Sequence, residues 1–340
     1  MSKAFPGAPI LTTLYDSDAT YPEFASLDVR ATWLNRVRGV RGDHRRALPM
    51  LPLAVAGRRV DADVLLCSSS GWSHGFRTTG KKIVYCYSPA RWLYQTSRYI
   101  GESTPPHRRL ALGALKKPLV WWDRRQAATA NGYIAISSIV QRRVRDAYGL
   151  EAPVLPAPHS MSREMALTPV RNASPGFFLC VSRLLPYKNV LAVVEAFKGR
   201  SERLLVVGRG PQLPVLRSVA TSNVCFKQDL TDSEMAWLYS HCQAVIAASH
   251  EDFGLTPVEG AVFGAPAIVL RYGGFLDTVI EGVTGAFFNS PTAADIRECL
   301  DRVRDTVWST DDIQHHAECF SEQHFATALQ SIIRATVGAA

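Results

Sequence analysis

Short apolar runs alternate with longer amphipathic stretches through much of the chain, and this alternation constrains the fold more than any other feature. In the first half, "ADVLLCSSS" (62–70), "KIVYCYSP" (82–89), "GYIAISS" (132–138) and "APVLPAP" (152–158) read as buried strands. Each ends in Ser or Pro, the chemistry of a strand leaving a sheet. Helical stretches are predicted over 107–130 and 138–148. Buried strands joined through helices are the pattern of a doubly wound parallel α/β sheet.

The pattern breaks once. "PAPHSMSREMALTPVRNASPG" (156–176) is rich in Pro and Ser and reads as a linker. After it the alternation restarts with "FFLCVSRL", "NVLAVVEAFK", "RLLVVG", "PVLRSVA" and "NVCFK". "TDSEMAWLYSHC" follows, with Thr231 and Glu234 spaced as a capping box before an apolar helical stripe. At 340 residues the chain is long enough for two such halves. Two doubly wound halves facing a cleft would hold ligands at the carboxyl ends of their strands.

Composition narrows the partners. The net charge of +8 is uneven: residues 1–171 carry 25 Lys/Arg against 12 Asp/Glu, and the remainder carries 13 against 18. A basic half is compatible with a solvated Arg-rich surface, with anionic lipid, or with a phosphorylated acceptor. No aromatic-basic motif for RNA is present, so nucleic acid is not favoured. Seven cysteines without a C-x-x-C pair read as thiols of a reducing cytoplasm. Neither a leader nor an apolar run of about 18 residues is seen, so the expectation is a cytoplasmic protein, at most peripheral at the inner face of a membrane.

Chemistry concentrates in "SHEDFGLTPVEGAVFGAPAIV" (249–269), where Glu251 and Glu259 flank a Gly-Leu-Thr-Pro turn with seven residues between them. Thr256 reads as a helix N-cap, Pro257 as the first helical residue and Glu259 as a first-turn acid. The Gly254, Leu255 and Thr256 amides would then face an anion such as a diphosphate. Carboxylates suit vicinal hydroxyls instead, so Glu259 could take a ribose diol and Glu251 the hydroxyls of a sugar; by themselves the two equally fit a surface residue and a first-turn helix acid. Upstream, Arg183 and Lys188 in "VSRLLPYKN" leave a strand end just before a helix. Two cations there can neutralise a diphosphate leaving group. Gly208 and Gly210 in "VVGRGP" form a G-x-G, which fits a plain turn as well as a close nucleotide approach.

"SRLLPYKN", "VVGRGP", "HEDFGLTPVEGAVFGAPAIVLRYGGFLDTVIEGVTGAFF" and "FSEQHFATALQSII" resemble, in order and spacing, the nucleotide-sugar half of retaining family 4 glycosyltransferases. The first half, through "LLCSSSGWSHGF", "VYCYSPARWLY" and "WWDRRQAATANGYIAISSIVQRRVRDAYG", is similar to a bacterial mannosyltransferase-like branch. The resemblance implies the GT-B fold: an acceptor-side Rossmann-like domain over 1–165, a nucleotide-sugar domain over 172–318, and a closing helix (319–340) crossing back to the first. It implies transfer of a hexose with retention, without a metal or cofactor, from a nucleotide-diphosphate sugar. GDP-mannose is the first-choice donor; the acceptor is a glycan, lipid-linked or natural-product hydroxyl. Arg183 and Lys188 would bind the diphosphate, Glu259 the ribose, and Glu251 with the amides near Phe253 to Thr256 the hexose.

The chain also departs from that pattern. "AFPGAPILTTLYDSD" begins at residue 4, where the family has already passed an opening strand and a glycine-rich loop, so the first domain reads as N-terminally truncated, through either a start placed too late or an incomplete domain that needs a partner. Tyr87 in "VYCYSP" stands where relatives carry histidine, and a tyrosine does not titrate near neutral pH. Asp277 in "GGFLDTV" stands where glutamate is usual. His74 in "GWSHGF" and Arg91 in "SPARWLY" are acceptor-side candidates together with Tyr87. These departures leave a second reading open, a non-catalytic homologue serving as a regulatory or assembly partner.

Overall fold

The computed structural model describes residues 1–37, 39, 50–95 and 106–338, with no side-chain description for 106–112 and 114. The chain divides into two compact α/β units. Unit 1 comprises Met1–Ile136, Val140–Leu155 and Ala326–Ala340; unit 2 comprises Ser137–Ile139 and Pro156–Phe325.

Unit 2 is built on one six-stranded parallel sheet. Its strands are β8 (Phe177–Val181), β9 (Arg203–Val207), β10 (Val224–Lys227), β11 (Cys242–Ala247), β12 (Ala267–Leu270) and β13 (Gly285–Phe288). They lie in the order β10-β9-β8-β11-β12-β13. The chain therefore winds outward from β8 in one direction, returns, and winds outward from β11 in the other. Both faces of the sheet are buried. Leu204 and Val206 of β9 join Val190, Val194, Phe197 and Leu216 on one side, while Leu205 and Val207 join Leu179, Trp237 and Tyr239 on the other. That two-sided burial is why its strands read as unbroken apolar runs rather than alternating ones. The Thr231 capping box forms as the sequence predicts and opens helix Asp232–His241.

Unit 1 has a more fragmented parallel arrangement. Strands β4 (Val64–Ser69), β6 (Lys81–Cys86) and β7 (Gly132–Ala135) form a three-stranded sheet. Two separate parallel pairs accompany it: β1 (Ile10–Thr12) with β2 (Val29–Ala31), and β3 (Arg59–Val60) with β5 (Arg77–Thr78). The strand expected over 152–158 shrinks to a single bridge between Ala135 and Val154. Pro153 and Pro156 supply no N–H, so only the Ala135 N–H to Pro153 O and Leu155 N–H to Ala135 O bonds form, both 2.9 Å. Helices Pro106–Ala127 and Ser138–Tyr148 fall where the sequence predicts them.

Residues 156–176 contain no helix or strand. They nevertheless pack within unit 2: the His159 N–H donates to Phe320 O at 3.0 Å, and Met161 lies against the apolar clusters there. The passage from one unit to the other thus falls at Leu155–Pro156. Helix Glu322–Gly338 contributes its residues from 326 onward to unit 1, where Gln330 Nε2 donates to Ala4 O at 2.8 Å. None of the seven cysteines forms a disulfide. No described helix is long and apolar enough to cross a membrane.

Candidate functional site

In an open parallel sheet, a crevice opens where two neighbouring strands send their connections to opposite faces. In unit 2 those neighbours are β8 and β11. Beyond their carboxyl ends lies a cavity of about 590 Å³ whose lining includes Arg183, Lys188, Arg209, Glu251, Thr256 and Phe275. Gly208 also lines it. Gly208 and Gly210 have φ of 152° and 157°, and a Cβ on either would land on the Ser182 or Leu184 backbone. They let the loop after β9 cross the loop after β8, joined by the Ser182 N–H to Val207 O (3.0 Å) and Leu184 N–H to Arg209 O (2.8 Å) bonds. The G-x-G therefore shapes the wall through backbone contact, and Gly210 itself does not line the cavity.

Glu251 leaves β11 through Ser249 and enters an ion pair with Lys188 from the β8 side. Both side chains are largely enclosed, at 12% exposure for Lys188 and 20% for Glu251. Ser249 Oγ donates to the same Glu251 oxygen at 2.7 Å. Asn189, in the left-handed region at φ 53°, ties the Lys188 loop to the end of β11 by donating from Nδ2 to Ala248 O at 2.9 Å. Beneath Glu251 two glycines bring backbone against backbone. A Cβ at Gly273 would strike Glu251 O, one at Gly274 would strike the Phe253 backbone, and the Gly274 N–H donates to Glu251 O at 3.0 Å.

The helix after this loop begins two residues earlier than the sequence suggests. It spans Leu255–Val262 with Gly254 as N-cap, so Thr256 is its second residue rather than the cap. The reason is steric: Gly254 adopts φ 91° and a Cβ there would overlap the Phe275 ring, a conformation open to glycine alone. Pro257 is still within the first turn, where a missing N–H costs nothing. Leu255 and Thr256 line the cavity, while Phe253 is buried and meets Phe320 edge-on at 6.1 Å between ring centroids.

Glu259 sits deeper than Glu251 and does not line the cavity. It accepts a hydrogen bond from Tyr239 Oη at 2.7 Å. Burial raises the Glu259 carboxyl above the ordinary carboxylate range, the Tyr239 hydrogen bond opposes that rise, and the charge of Asp232 adds to it. Burial likewise pushes the Tyr239 phenol well above its usual value, so it is a donor at every accessible pH. Arg183 is exposed and donates from Nη2 to Tyr187 Oη at 2.9 Å.

The acceptor-side candidates all belong to unit 1. Tyr87, 36% exposed, follows β6 and meets Tyr85 edge-on. Arg91 is partly buried at the start of helix Arg91–Tyr94. His74 differs from the expectation of an open group. It is 1% exposed, with Nε2 2.9 Å from Asp123 Oδ1, and Asp123 also accepts from Tyr94 and Tyr148. Its imidazole belongs to a buried polar cluster under Trp72 and Trp122, and that closure removes it from solvent.

Sequence reading missed Tyr239, Ser249 and the Gly273–Gly274 platform. It also left Asp277 without a role, whereas Asp277 Oδ2 accepts from both the Ser138 N–H (2.9 Å) and Oγ (3.0 Å). A shorter acid reaches these donors without a bend. Asp16, in "DSD" (16–18), accepts from the Asp18 N–H, and Asp61, in "DAD" (61–63), accepts from Thr79 Oγ1.

Residues 168–306 match the family described as "Glycosyl transferases group 1", so the sheet and cavity of unit 2 lie almost wholly within that domain. The whole chain superposes on the sucrose-phosphate synthase (tll1590) from Thermosynechococcus elongatus with a TM-score of 0.72, covering 100% of this chain and 91% of that one at 16% identity. The fold is that of the GT-B glycosyltransferases, with two Rossmann-like units. Among curated relatives, the "Uncharacterized glycosyltransferase YqgM" of Bacillus subtilis (strain 168) is 26% identical over 53% of this chain and 53% of its own length. The "Alpha-1,3/1,6-mannosyltransferase ALG2" of Dictyostelium discoideum is 26% identical over 49% and 48%. The match spans about half the length of these curated relatives.

Proposed function

We propose that the chain is a glycosyltransferase that moves a hexose, mannose as the leading assignment, from a nucleotide-diphosphate sugar to an acceptor hydroxyl. The observation that carries this reading is the joint placement of Lys188, Glu251 and the Leu255–Thr256 amides around one cavity at the β8/β11 switch point, with Glu259 one helical turn below. Cations and helix-terminal amides suit the diphosphate; carboxylates suit the hydroxyls at its two ends. A mannosyltransferase among the relatives favours mannose, with GDP-mannose as donor.

In this reading Arg183 and Lys188 hold the diphosphate, Glu259 the ribose diol, and Glu251 the hexose. The bond from the sugar C1 to the β-phosphate oxygen breaks as the acceptor oxygen bonds C1 from the same face. The acceptor proton passes to the departing phosphate oxygen, so no protein base is required. Lys188 stabilises the charge that gathers on that phosphate. The acceptor is a glycan, lipid-linked or natural-product hydroxyl, reached through unit 1 near Tyr87 and Arg91. The basic composition of that half suits a protein working against an anionic membrane from the cytoplasmic side.

The test is thermal-shift binding of GDP, UDP, ADP and TDP to the purified chain and to Glu259→Ala. A ligand at about 100 times its Kd stabilises by about 2.7 kcal/mol. Selective stabilisation by one nucleotide, lost in Glu259→Ala, is the expected result and names the base. Stabilisation by none of the four would overturn the reading. Binding without sugar transfer would mark a non-catalytic homologue, for which Tyr87 at the usual histidine position is the structural correlate.

A further inference from the structure

Unit 1 contains a second basic cavity that the proposed reaction leaves unused. It measures about 480 Å³ and is lined by, among others, Arg59, Arg77, Thr78, Lys82, Arg125 and Thr129. No Asp or Glu is among the described residues that line it. It opens at the amino-terminal ends of β4 and β6, whereas Ser69 and Tyr87 lie at their carboxyl-terminal ends.

Three features set this cavity apart from a solvated Arg-rich surface. First, Arg59 and Arg77 are direct partners across the parallel pair β3–β5. Both side chains are exposed, and the described structure gives neither guanidinium a carboxylate partner. The nearby Asp61 accepts from Thr79 Oγ1 at 2.8 Å. Second, the wall is rigid. A Cβ at Gly80 would land on the Ala62 and Asp63 carbonyls, and the Gly80 N–H donates to Thr78 Oγ1 at 3.2 Å. Third, the floor holds a buried cation. Lys82 is 3% exposed and donates from Nζ to His74 O (2.8 Å) and Thr129 Oγ1 (2.7 Å), both neutral acceptors. Burial lowers its pKa, Cys67 opposes that shift and the charge of Arg77 adds to it, a penalty that an anion in the cavity would relieve.

Arg125 places the cavity on a continuing cationic surface. Its guanidinium lies 5.5 Å from the Trp121 ring centroid. Trp121, 62% exposed, borders a neighbouring hollow with Lys116, Lys117 and Arg124 along helix Pro106–Ala127. Arg125 near the end of that helix also complements its dipole. Helix termini do not explain Arg59 and Arg77, which sit on strands.

We infer that Arg59, Arg77, Lys82 and Arg125 form a phosphoryl-binding pocket in unit 1, separate from the donor cavity of unit 2. Two guanidinium forks suit the oxygens of a phosphate monoester, phosphodiester or diphosphate, and the volume is in the range of small-ligand sites. The shared chemistry has two sources, a soluble phosphate compound or the headgroup of an anionic phospholipid.

The experiment uses the full chain carrying Arg183→Ala, Lys188→Ala and Arg209→Ala, so that the cations lining the unit 2 cavity do not report. Inorganic pyrophosphate is titrated by calorimetry, and sedimentation is measured with phosphatidylglycerol vesicles against phosphatidylcholine vesicles. Each is repeated with Arg59→Gln/Arg77→Gln and, separately, Arg125→Gln, and the melting temperature of every variant is recorded. Saturable pyrophosphate binding weakened at least tenfold by Arg59→Gln/Arg77→Gln supports the pocket with a soluble phosphate ligand. Selective sedimentation with phosphatidylglycerol, lost in the same variant while pyrophosphate binds weakly, supports it with a headgroup ligand. If the double variant melts early, Arg125→Gln carries the decision, with a threefold or larger loss expected. Binding to neither probe overturns the inference. So does binding that folded variants keep at full strength, or that falls only with Lys116→Gln/Lys117→Gln.

Discussion

Tyr239 donates its phenolic hydrogen to Glu259 Oε2 at 2.7 Å, joining the helices that precede and follow β11. Burial raises the Glu259 pKa and this hydrogen bond restrains the rise. Tyr239→Phe therefore leaves Glu259 with a higher pKa and one fewer donor. Nucleotide affinity at pH 7 is expected to fall about tenfold, the worth of a hydrogen bond to a charged group. The acid-side loss of affinity should move to higher pH than in the parent chain. Calorimetric titrations between pH 5 and 8 check both, and identical profiles would count against the ribose role of Glu259.

Glu259→Gln separates binding from stability. Between the ordinary carboxylate pKa and the raised folded value, the folded state holds a proton that the unfolded chain has released. Stability then falls as pH rises through that window and stays lower above it. Removing the charge is expected to raise the melting temperature at pH 7.5 by about 1–3 °C, with no gain near pH 4. Nucleotide-induced stabilisation should disappear in the same variant. Differential scanning calorimetry at the two pH values reads the outcome.

Lys188 and Glu251 form one ion pair in the cavity wall, so their substitutions should not be additive. Lys188→Met is expected to lower kcat/KM about 100-fold or more, the scale of removing one electrostatic stabiliser. Glu251→Gln should lower it too, and the double variant should lose less than the product of the two. Initial rates of sugar release from the nucleotide-sugar give the cycle. Full multiplicativity would mean that the two groups act independently.

Gly274→Ala tests the platform beneath Glu251. A Cβ there strikes the Phe253 backbone, which has no rotamer with which to retreat. The expected cost is about 2–4 kcal/mol, together with loss of nucleotide stabilisation. Gly113, inside helix Pro106–Ala127, has nothing within 4 Å of an added Cβ. Gly113→Ala should stabilise by up to about 1 kcal/mol. Urea denaturation of the two variants side by side makes the comparison.

Thr231→Ala removes half of the capping box on helix Asp232–His241. A loss of about 1 kcal/mol is expected with nucleotide affinity unchanged, because neither Thr231 nor Glu234 lines the cavity. A change in affinity would show that this helix end communicates with Glu259 through Tyr239.

Unit 2 was legible because its strands are buried on both faces and its turns use the expected chemistry. The apolar runs, the capping box and the two glutamates each carry a local signal. Contacts made by backbone or across distant segments carry none. Tyr239 reaches Glu259 from twenty positions away, and Gly273–Gly274 supports Glu251 without a side chain. The early start of helix Leu255–Val262 depends on the Phe275 ring that restricts Gly254, again a tertiary fact. In unit 1, "APVLPAP" has the apolar content of a strand, yet its prolines withhold the N–H groups a ladder needs. His74 has the composition of a site residue, but burial against Asp123 decides its place.

The glycine platform has a consequence for how this donor site can change. Where side chains underlie a loop, substitutions below it can tilt the loop by fractions of an ångström and retune what it grips. Here two peptide planes lie against one another beneath Glu251, and the side-chain contacts to the loop come at its neighbours, His250 on Tyr272 and Phe253 on Phe320. In the proposed reading, substitutions that tilt this loop would fall at Tyr272, Phe320 or Ser137 rather than at the two glycines. The two glycines are therefore the positions of this wall with the least room to vary, because any side chain on either meets backbone that has no rotamer to change.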